Sequence, residues 1–501
     1  MSIKKITLIL LPFLLISLVV YFKNGPSQSS HILAQVSSDS WPQLQRDANH
    51  SGYSSQTVGP PYTEICRRQD FPVSTRVQPI IAENLVFLPS NNNRLYAISS
   101  SNCQTVWTYQ TEGPLVNAAA YDSGKVFFGS FDNYVYAVNT GNGSLAWRYE
   151  TGGSIHAAPV IADGKVFIGS SDGYLYAINT NNGSLAWRYQ VGVPVYDTPA
   201  YDSGRIFFCG MDSKAYGINA TNGTLAWSRQ LLGQGCRDRW TVAGHGKVFV
   251  TPILSSHYHV ALAQGTQLFN AGANPVIYNQ PWSVQRDVIL NYLAGNPYVQ
   301  PMYVLDQATG QISFTPPILY QGGSTFPHSQ VVLLPNGNAN VIYRHSDGVA
   351  SLWGQTTNEA LYVGELNLTT GDITSVDRCI KGTGGWEDCG NYKSPMISDE
   401  GALLTRSGDI IYLDISKGTV GLDTRNEALV QTMVAYNIAS TPFSNAAVRF
   451  DDYLGGEWRA FFPGAERDDG NSNHKKPVPL VGDRFFILHH STLVIIRGTT
   501  R

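Results

Sequence analysis

The sequence predicts an all-β fold, an eight-bladed β-propeller of four-stranded antiparallel blades, and three observations predict it. Tryptophans recur evenly at Trp107, Trp147, Trp187 and Trp227, so the chain repeats itself with a period of about 40 residues. Turn dipeptides such as Asp163-Gly164, Asp172-Gly173 and Asn182-Gly183 divide each repeat into four short β-rich runs. Charged residues make up only 14% of the chain while glycine (48) and tyrosine (27) are plentiful, which suits a turn-rich β protein and excludes a coiled coil or a disordered chain. A repeat of this length with four strands is one propeller blade, and no blade buries its faces alone, so the blades must stack in a ring. The net charge of −3 implies no nucleic-acid partner.

The N-terminus comes first. Lys4 and Lys5 precede an unbroken apolar run over 6–22. Its length fits the core of a signal peptide or an uncleaved anchor with the lysines inside and the body outside. Residues 23–40 are polar and Ser-rich, as a linker is. Residues 1–40 are therefore read as a signal peptide or N-terminal membrane anchor plus linker, and residues 41–501 as a single propeller domain. No cysteine lies near the apolar run, which excludes bacterial lipoprotein processing.

The repeat columns follow. Tyr96, Tyr136, Tyr176 and Tyr216 hold one; Phe127, Phe167 and Phe207 hold another; Leu145, Leu185 and Leu225 stand two positions before the tryptophan. The tryptophan falls on the outermost strand, where its ring packs against the neighbouring blade. Burying such a ring contributes about 4–6 kcal/mol at most. Blade five starts at Trp240 and resumes at Tyr303, with Phe314 in the tryptophan place. Blade six spans about 326–380, blade seven about 391–424, and blade eight begins near Pro477 and ends at Ile496. Blade eight lacks an outer strand. Arg67 lies one full repeat before Trp107, so the run around it is in register to close the ring. Insertions are expected at about 251–302 and 425–475, the first holding a short helix over 281–295, with proline near its start and glycine after its end.

Three repeats end in related sequences: Ala137 to Trp147, Ala177 to Trp187 and Gly217 to Trp227, each with an Asn-Gly pair shortly before the tryptophan. This resembles the tryptophan-docking motif of the pyrroloquinoline-quinone (PQQ)-type propeller repeat. The opening Trp41-Pro42-Gln43-Leu44-Gln45-Arg46-Asp47-Ala48-Asn49-His50-Ser51-Gly52 looks like the segment that precedes such propellers. The resemblance is strong over 76–230 and diluted over 240–501. It implies the fold but not the chemistry, because the family holds quinoprotein dehydrogenases as well as non-enzymatic scaffolds of the outer-membrane barrel-assembly type. The dehydrogenase alternative implies PQQ on a calcium ion held by carboxylate and amide oxygens, with an aspartate base and often a pair of adjacent cysteines. The chain has no Cys-Cys pair, and no family motif frames Asp197, Asp238, Glu387 or Asp388. No catalytic residue, metal ligand or cofactor is therefore assigned. The expected function is an exported, non-catalytic scaffold that binds a protein, glycan or small ligand at the envelope or cell surface, periplasmic or extracellular, touching the membrane through its N-terminal segment only.

The candidate site is the mouth where the innermost strands begin. Aligned there, the blades supply Asn117, Asp197, Arg239, Lys393 and Lys476 in one column and Arg76, His156, Tyr196 and Asp238 in its neighbour. Trp386, in the Gly-rich run 384–390, is placed on the same mouth. Propeller mouths are polar whatever they bind, so the column alone names no ligand. The sequons at Asn142, Asn182 and Asn222 coincide with Asn-Gly turns, which explains them without glycosylation.

Six cysteines in an exported chain point to disulfides. Register pairs Cys66 on the closing strand with Cys103 in the next blade, and Cys209 at the end of a second strand with Cys236 in the connection that follows. Cys379 and Cys389 flank the Gly-rich run. Non-reducing peptide mapping is expected to recover Cys66–Cys103, Cys209–Cys236 and Cys379–Cys389; any other linkage would show the register to be misread.

Overall fold

Each repeat folds as its turn dipeptides dictate. In the third, Val160–Ala162, Lys165–Gly169, Tyr174–Asn179 and Leu185–Gln190 form an antiparallel sheet ordered from the axis outward. Phe167 pairs with Ala177 and Ala177 with Trp187 across it. The computed structural model describes residues 40–68, 71–73, 77–237, 239–253, 282–318, 331–346, 359–374, 403–408, 410–415, 418–423, 429–433, 479–489 and 492–500.

Among these residues the expectation of eight four-stranded antiparallel blades is corrected: there are seven. Six follow one another in the chain, from the blade that starts at Ile80–Ala82 to the blade that ends at Ile373–Thr374. The seventh joins the two ends of the chain. Leu480–Val481, Arg484–His489 and Thr492–Thr500 are its first three strands, and Val58–Arg68 pairs antiparallel with the last as the outer strand. The remaining sheet is a different object, five-stranded and mixed. Its four antiparallel strands run from Leu403–Ser407 to Leu429–Met433, and Tyr53–Ser54 adds parallel to Leu403–Ser407. The reason is the path of the N-terminal segment, which ends against that inner strand. The first insertion holds a helix, Trp282–Gly295, whose Arg286 is ion-paired to Asp372 in the sixth blade.

The blades dock by one repeated contact. The indole N–H of Trp107 donates to the Thr140 carbonyl (2.7 Å), that of Trp147 to Thr180 (2.9 Å), that of Trp187 to Ala220 (3.0 Å) and that of Trp227 to Gln307 (3.0 Å), each in the next blade. A bulge just before each ring, as between Leu145 and Trp147, turns it out of its own sheet. Each ring rests on a turn glycine of the next blade. A Cβ on Gly183 would lie 2.7 Å from Trp147. Behind the rings sit the buried phenylalanines: Phe127 lies 5.7 Å from Trp147 and Phe167 5.7 Å from Trp187.

At the seam between the seventh and first blades the contact changes chemistry. Cys103 stands one full repeat before Gly143, in the same turn position, with a φ of 59°. It is bonded to Cys66 on the outer strand of the seventh blade. The second disulfide, Cys209–Cys236, also takes over a repeat contact. In the two preceding repeats Gly169 and Gly129 occupy the Cys209 position and pack against Val195 and Ile155. The expected pairs 66–103 and 209–236 are thus both formed; Cys379 and Cys389 lie outside the described residues.

Gly183→Ala and Gly164→Ala separate backbone strain from docking. Both glycines have positive φ, 72° and 67°, but a Cβ at Gly164 meets nothing within 4 Å. Gly164→Ala is expected to cost about 1 kcal/mol for the left-handed backbone. Gly183→Ala is expected to cost at least about 1 kcal/mol more, from the clash with Trp147. Urea midpoints for the two variants measure the difference, and equal losses would refute the docking role.

Candidate functional site

Every innermost strand of a blade has one unpaired edge facing the axis, and its N–H groups need acceptors. Residues 41–54 supply them. Trp41 exchanges two backbone bonds with Ile81 in the first blade. Pro42 O accepts from Tyr121 N in the second, and the Gln43 side chain both donates to and accepts from the Ile161 backbone in the third. Ala48, Asn49 and Ser51 accept from Tyr201, Ala243 and Leu333 in the fourth, fifth and sixth. Gly52 accepts from Arg406 in the mixed sheet. Gln45, Arg46 and His50 take positive φ, which coils the segment tightly enough to visit successive blades. Two of its buried side chains are held by hydrogen bonds: Asp47 accepts from the Ser51 amide and hydroxyl, and His50 Nδ1 lies 2.6 Å from the Thr241 carbonyl and so carries the proton. The segment's contacts with the blades fall within the short innermost strands, at the middle residue of each of the first five, so it runs beside them at the axis. Sequence reasoning identified these residues only as a segment that precedes the propeller, because most of their bonds are backbone bonds.

The mouth lies where those strands begin. Asn117, His156, Asp197 and Arg239 come together there on four successive blades. Arg76, Asp238, Trp386, Lys393 and Lys476 lie outside the described residues. Asn117 donates its amide to the His156 carbonyl (3.0 Å). His156 Nε2 is 3.0 Å from the Ser154 hydroxyl, and its ring lies between Phe131 (4.3 Å) and Tyr196 (4.5 Å). The Arg237 guanidinium covers the Tyr196 ring at 5.5 Å. Phe131, His156 and Tyr196 are each half-buried and Arg237 is exposed, so the row forms a ridge around the rim. Cys236 fixes the backbone beside Arg237 through its disulfide. Sequence reasoning placed Tyr196 in the mouth column but missed Phe131 and Arg237, which reach the mouth from a turn and a connection.

Below the rim Asp197 and Arg239 are buried. Asp197 Oδ2 accepts from the Cys209 amide (2.9 Å) and the Thr241 hydroxyl (2.7 Å). Burial pushes its carboxyl up to about 7, and those two bonds and the Arg239 charge offset the rise only in part. One step deeper, Trp240 packs with Leu44 of the N-terminal segment and with Ala118 and Ala158. Alternation puts Trp240, Ala118 and Ala158 on the same strand face as His156 and Tyr196. Among the described residues no three His, Cys, Asp or Glu side chains stand together, and Asp197 Oδ2 is taken by Cys209 and Thr241.

Asp197 and the buried His50 give stability opposite pH dependences. Folded Asp197 keeps, up to about pH 7, a proton that the unfolded chain releases near 3.8, so its contribution is lost as pH rises from about 4 to 7. His50 is lowered from 6.5 to about 4 by burial, so its contribution is gained as pH rises from about 4 to 6.5. Relative to the wild type, Asp197→Asn is expected to gain Tm as pH is raised from 4 to 7, and His50→Gln to lose it between 4 and 6.5. A Tm difference independent of pH in thermal melts would refute the assignment.

A family model described as outer membrane protein assembly factor BamB matches residues 64–152 and 112–315, together half of the chain. No curated protein matches the sequence. Among solved structures, a quinohemoprotein alcohol dehydrogenase from Pseudomonas putida HK5 aligns at 13% identity and TM-score 0.51, over 78% of this chain and 72% of that one. The computationally designed protein Ika8 aligns at 10% identity and TM-score 0.53, over 87% and 100%. BamB from Moraxella catarrhalis aligns at 12% identity and TM-score 0.48, over 87% and 100%. The first two likenesses show the fold.

Proposed function

The chain belongs to the PQQ-type propeller family described as outer membrane protein assembly factor BamB, and from that premise we propose that it is an exported, non-catalytic scaffold that binds a protein, glycan or small ligand of the cell envelope at its mouth. One observation carries the reading. The mouth is walled by side chains already held to one another, Asn117 to His156, His156 to Phe131 and Tyr196, and Tyr196 to Arg237. Such a wall loses little conformational entropy when a ligand seats on it. Asp197 has a carboxyl in the range of a general base, but its buried Oδ2 faces Cys209 and Thr241 in the wall. The family and the two disulfides fit a periplasmic or otherwise exported location, since such bonds persist in oxidising compartments. The apolar run 6–22 takes the chain out and holds it near the membrane.

Two measurements test the proposal. Envelope components that co-purify with the full chain are expected to be lost from an Asn117→Ala, Tyr196→Ala double variant that keeps the wild-type Tm. Retention by that variant would remove the mouth from the reading. The full chain incubated with PQQ and Ca²⁺ is expected to bind no quinone chromophore and to show no dye-linked oxidation of alcohols or sugars; either signal would overturn the non-catalytic role.

A further inference from the structure

The face opposite the mouth carries a row of exposed apolar side chains. In a blade the first and third strands run away from the mouth, so the turns that end them lie together on this far face. Just past the turn after the third strand, the outer strand opens with Leu145, Leu185, Leu225 and Ile312 in blades two to five. These four side chains are 40–45% exposed. Ala146, Ala186 and Ala226, next in the chain, are exposed as well. The first blade has Thr105 in this position and the sixth the buried Ile373, so the row is an arc of four. Equivalent positions in a ring of repeats stand at one height, which sets the four near a common plane. The charge around them cancels. Asp122, Asp163, Asp202 and Asp306, at or beside these turns, are matched by Lys125, Lys165, Arg205 and Lys247. Such a face has no field to steer a charged partner.

The chain enters the ring from the same face. Trp41 and Ile81 form an antiparallel pair, and Ile80–Ala82 runs from the mouth toward the turn at Glu83 and Asn84. The chain therefore reaches Trp41 from the far side. Residues 23–39 join that point to the apolar run 6–22. We propose that the far face rests on the lipid surface that holds the apolar run, with Leu145, Leu185, Leu225 and Ile312 entering the headgroup boundary and the mouth directed away from it. Leucine and isoleucine gain by leaving water, and four on one plane meet a planar surface together. Contact of this kind scales with the apolar area buried, and a few side chains alone bind weakly. The tether makes up the difference, because it turns the second contact into an intramolecular one at high effective concentration. A second copy of the chain would have to match an arc with the period of one blade, whereas a bilayer accepts any spacing in its plane. This inference rests on the N-terminal run being a membrane anchor, as proposed above.

Leu232 supplies the control for a test. It follows the end of the outer strand Leu225–Gln230, on the mouth side, and is 46% exposed, as open as the leucines of the arc. The full chain is floated with phosphatidylcholine vesicles and exposed to hydroxyl radicals, and the oxidised side chains are read by mass spectrometry. Leu145, Leu185 and Leu225 are expected to oxidise at least about threefold more slowly than Leu232. The same protection is expected in phosphatidylcholine nanodiscs that hold one chain each. With those three leucines replaced together, Leu145→Ser, Leu185→Ser and Leu225→Ser, and the Tm unchanged, Ile312 is expected to lose its protection. Equal oxidation of all four leucines overturns the inference. Protection that disappears in single-chain nanodiscs assigns the arc to a second copy and overturns it too, as does an Ile312 that stays protected in the triple variant. A chain that does not float with the vesicles lacks the anchor, and both readings fall; a chain that floats with its leucines equally oxidised removes the docking face alone.

Discussion

The whole ring depends on one contact, an outer-strand aromatic seated on a turn glycine of the following blade. It needs three features at once. A bulge aims the ring, glycine leaves room and accepts positive φ, and a carbonyl takes the indole N–H. Phe314 shows which part is dispensable. It has no N–H, yet it seats on Gly371, where a Cβ would come within 2.7 Å of the ring. Shape therefore holds the blades, and the hydrogen bond, a net contribution of about 1 kcal/mol, adds direction. The seam follows the same economy of position. There the glycine is Cys103 and the aromatic is replaced by a bond to Cys66, so the closing joint is covalent where the others are packed. The disulfide ties to the first blade the same N-terminal strand that closes the seventh blade by pairing with Thr492–Thr500.

A ring of blades leaves a second problem at its centre. Outer edges face solvent and stay wet, but the inner edges converge on the axis, where unpaired backbone groups are costly. Residues 41–54 solve it by bonding to the inner strands one blade after another and finally pairing in parallel with the mixed sheet. Leu44 of this segment belongs to the same buried apolar cluster as Trp240, so the segment also joins the core of the fifth and sixth blades.

What the sequence revealed follows from this division. Trp147, Gly183 and Phe167 were legible because every blade makes the same contact, so the same residue returns once in each repeat. The two described disulfides were legible because Cys103 and Cys209 sit in repeat columns whose neighbours are glycines. The count of four-stranded blades was not legible. The mixed sheet differs from a blade by a short parallel pairing, Tyr53 with Arg406 and Ser54 with Ser407, made through the backbone and leaving no side-chain signature. The central segment escaped for the same reason. At the mouth, columns located Asn117, His156, Asp197 and Arg239. They did not reveal Phe131 or Arg237, which arrive from a turn and a disulfide-held connection, nor that Trp240 turns its ring onto two alanines.

Among the described residues the mouth column differs from the rest of the propeller in having no repeated residue. Equivalent positions hold Asn117, Ala157, Asp197 and Arg239, whereas one layer further out the same blades hold Ala120, Val160, Ala200 and Val242, all buried and apolar. The change in character marks where the ring stops being held together and starts to face something else. Docking requires sameness, because each blade must fit the next. Recognition requires difference, because a ring of identical groups would hold a ligand in several equivalent orientations. Here the neutral Asn117 and Ala157 are followed on the next two blades by the ionisable Asp197 and Arg239. An asymmetric mouth on a repeating ring selects one orientation of what enters it, and it does so without changing any contact that holds the blades.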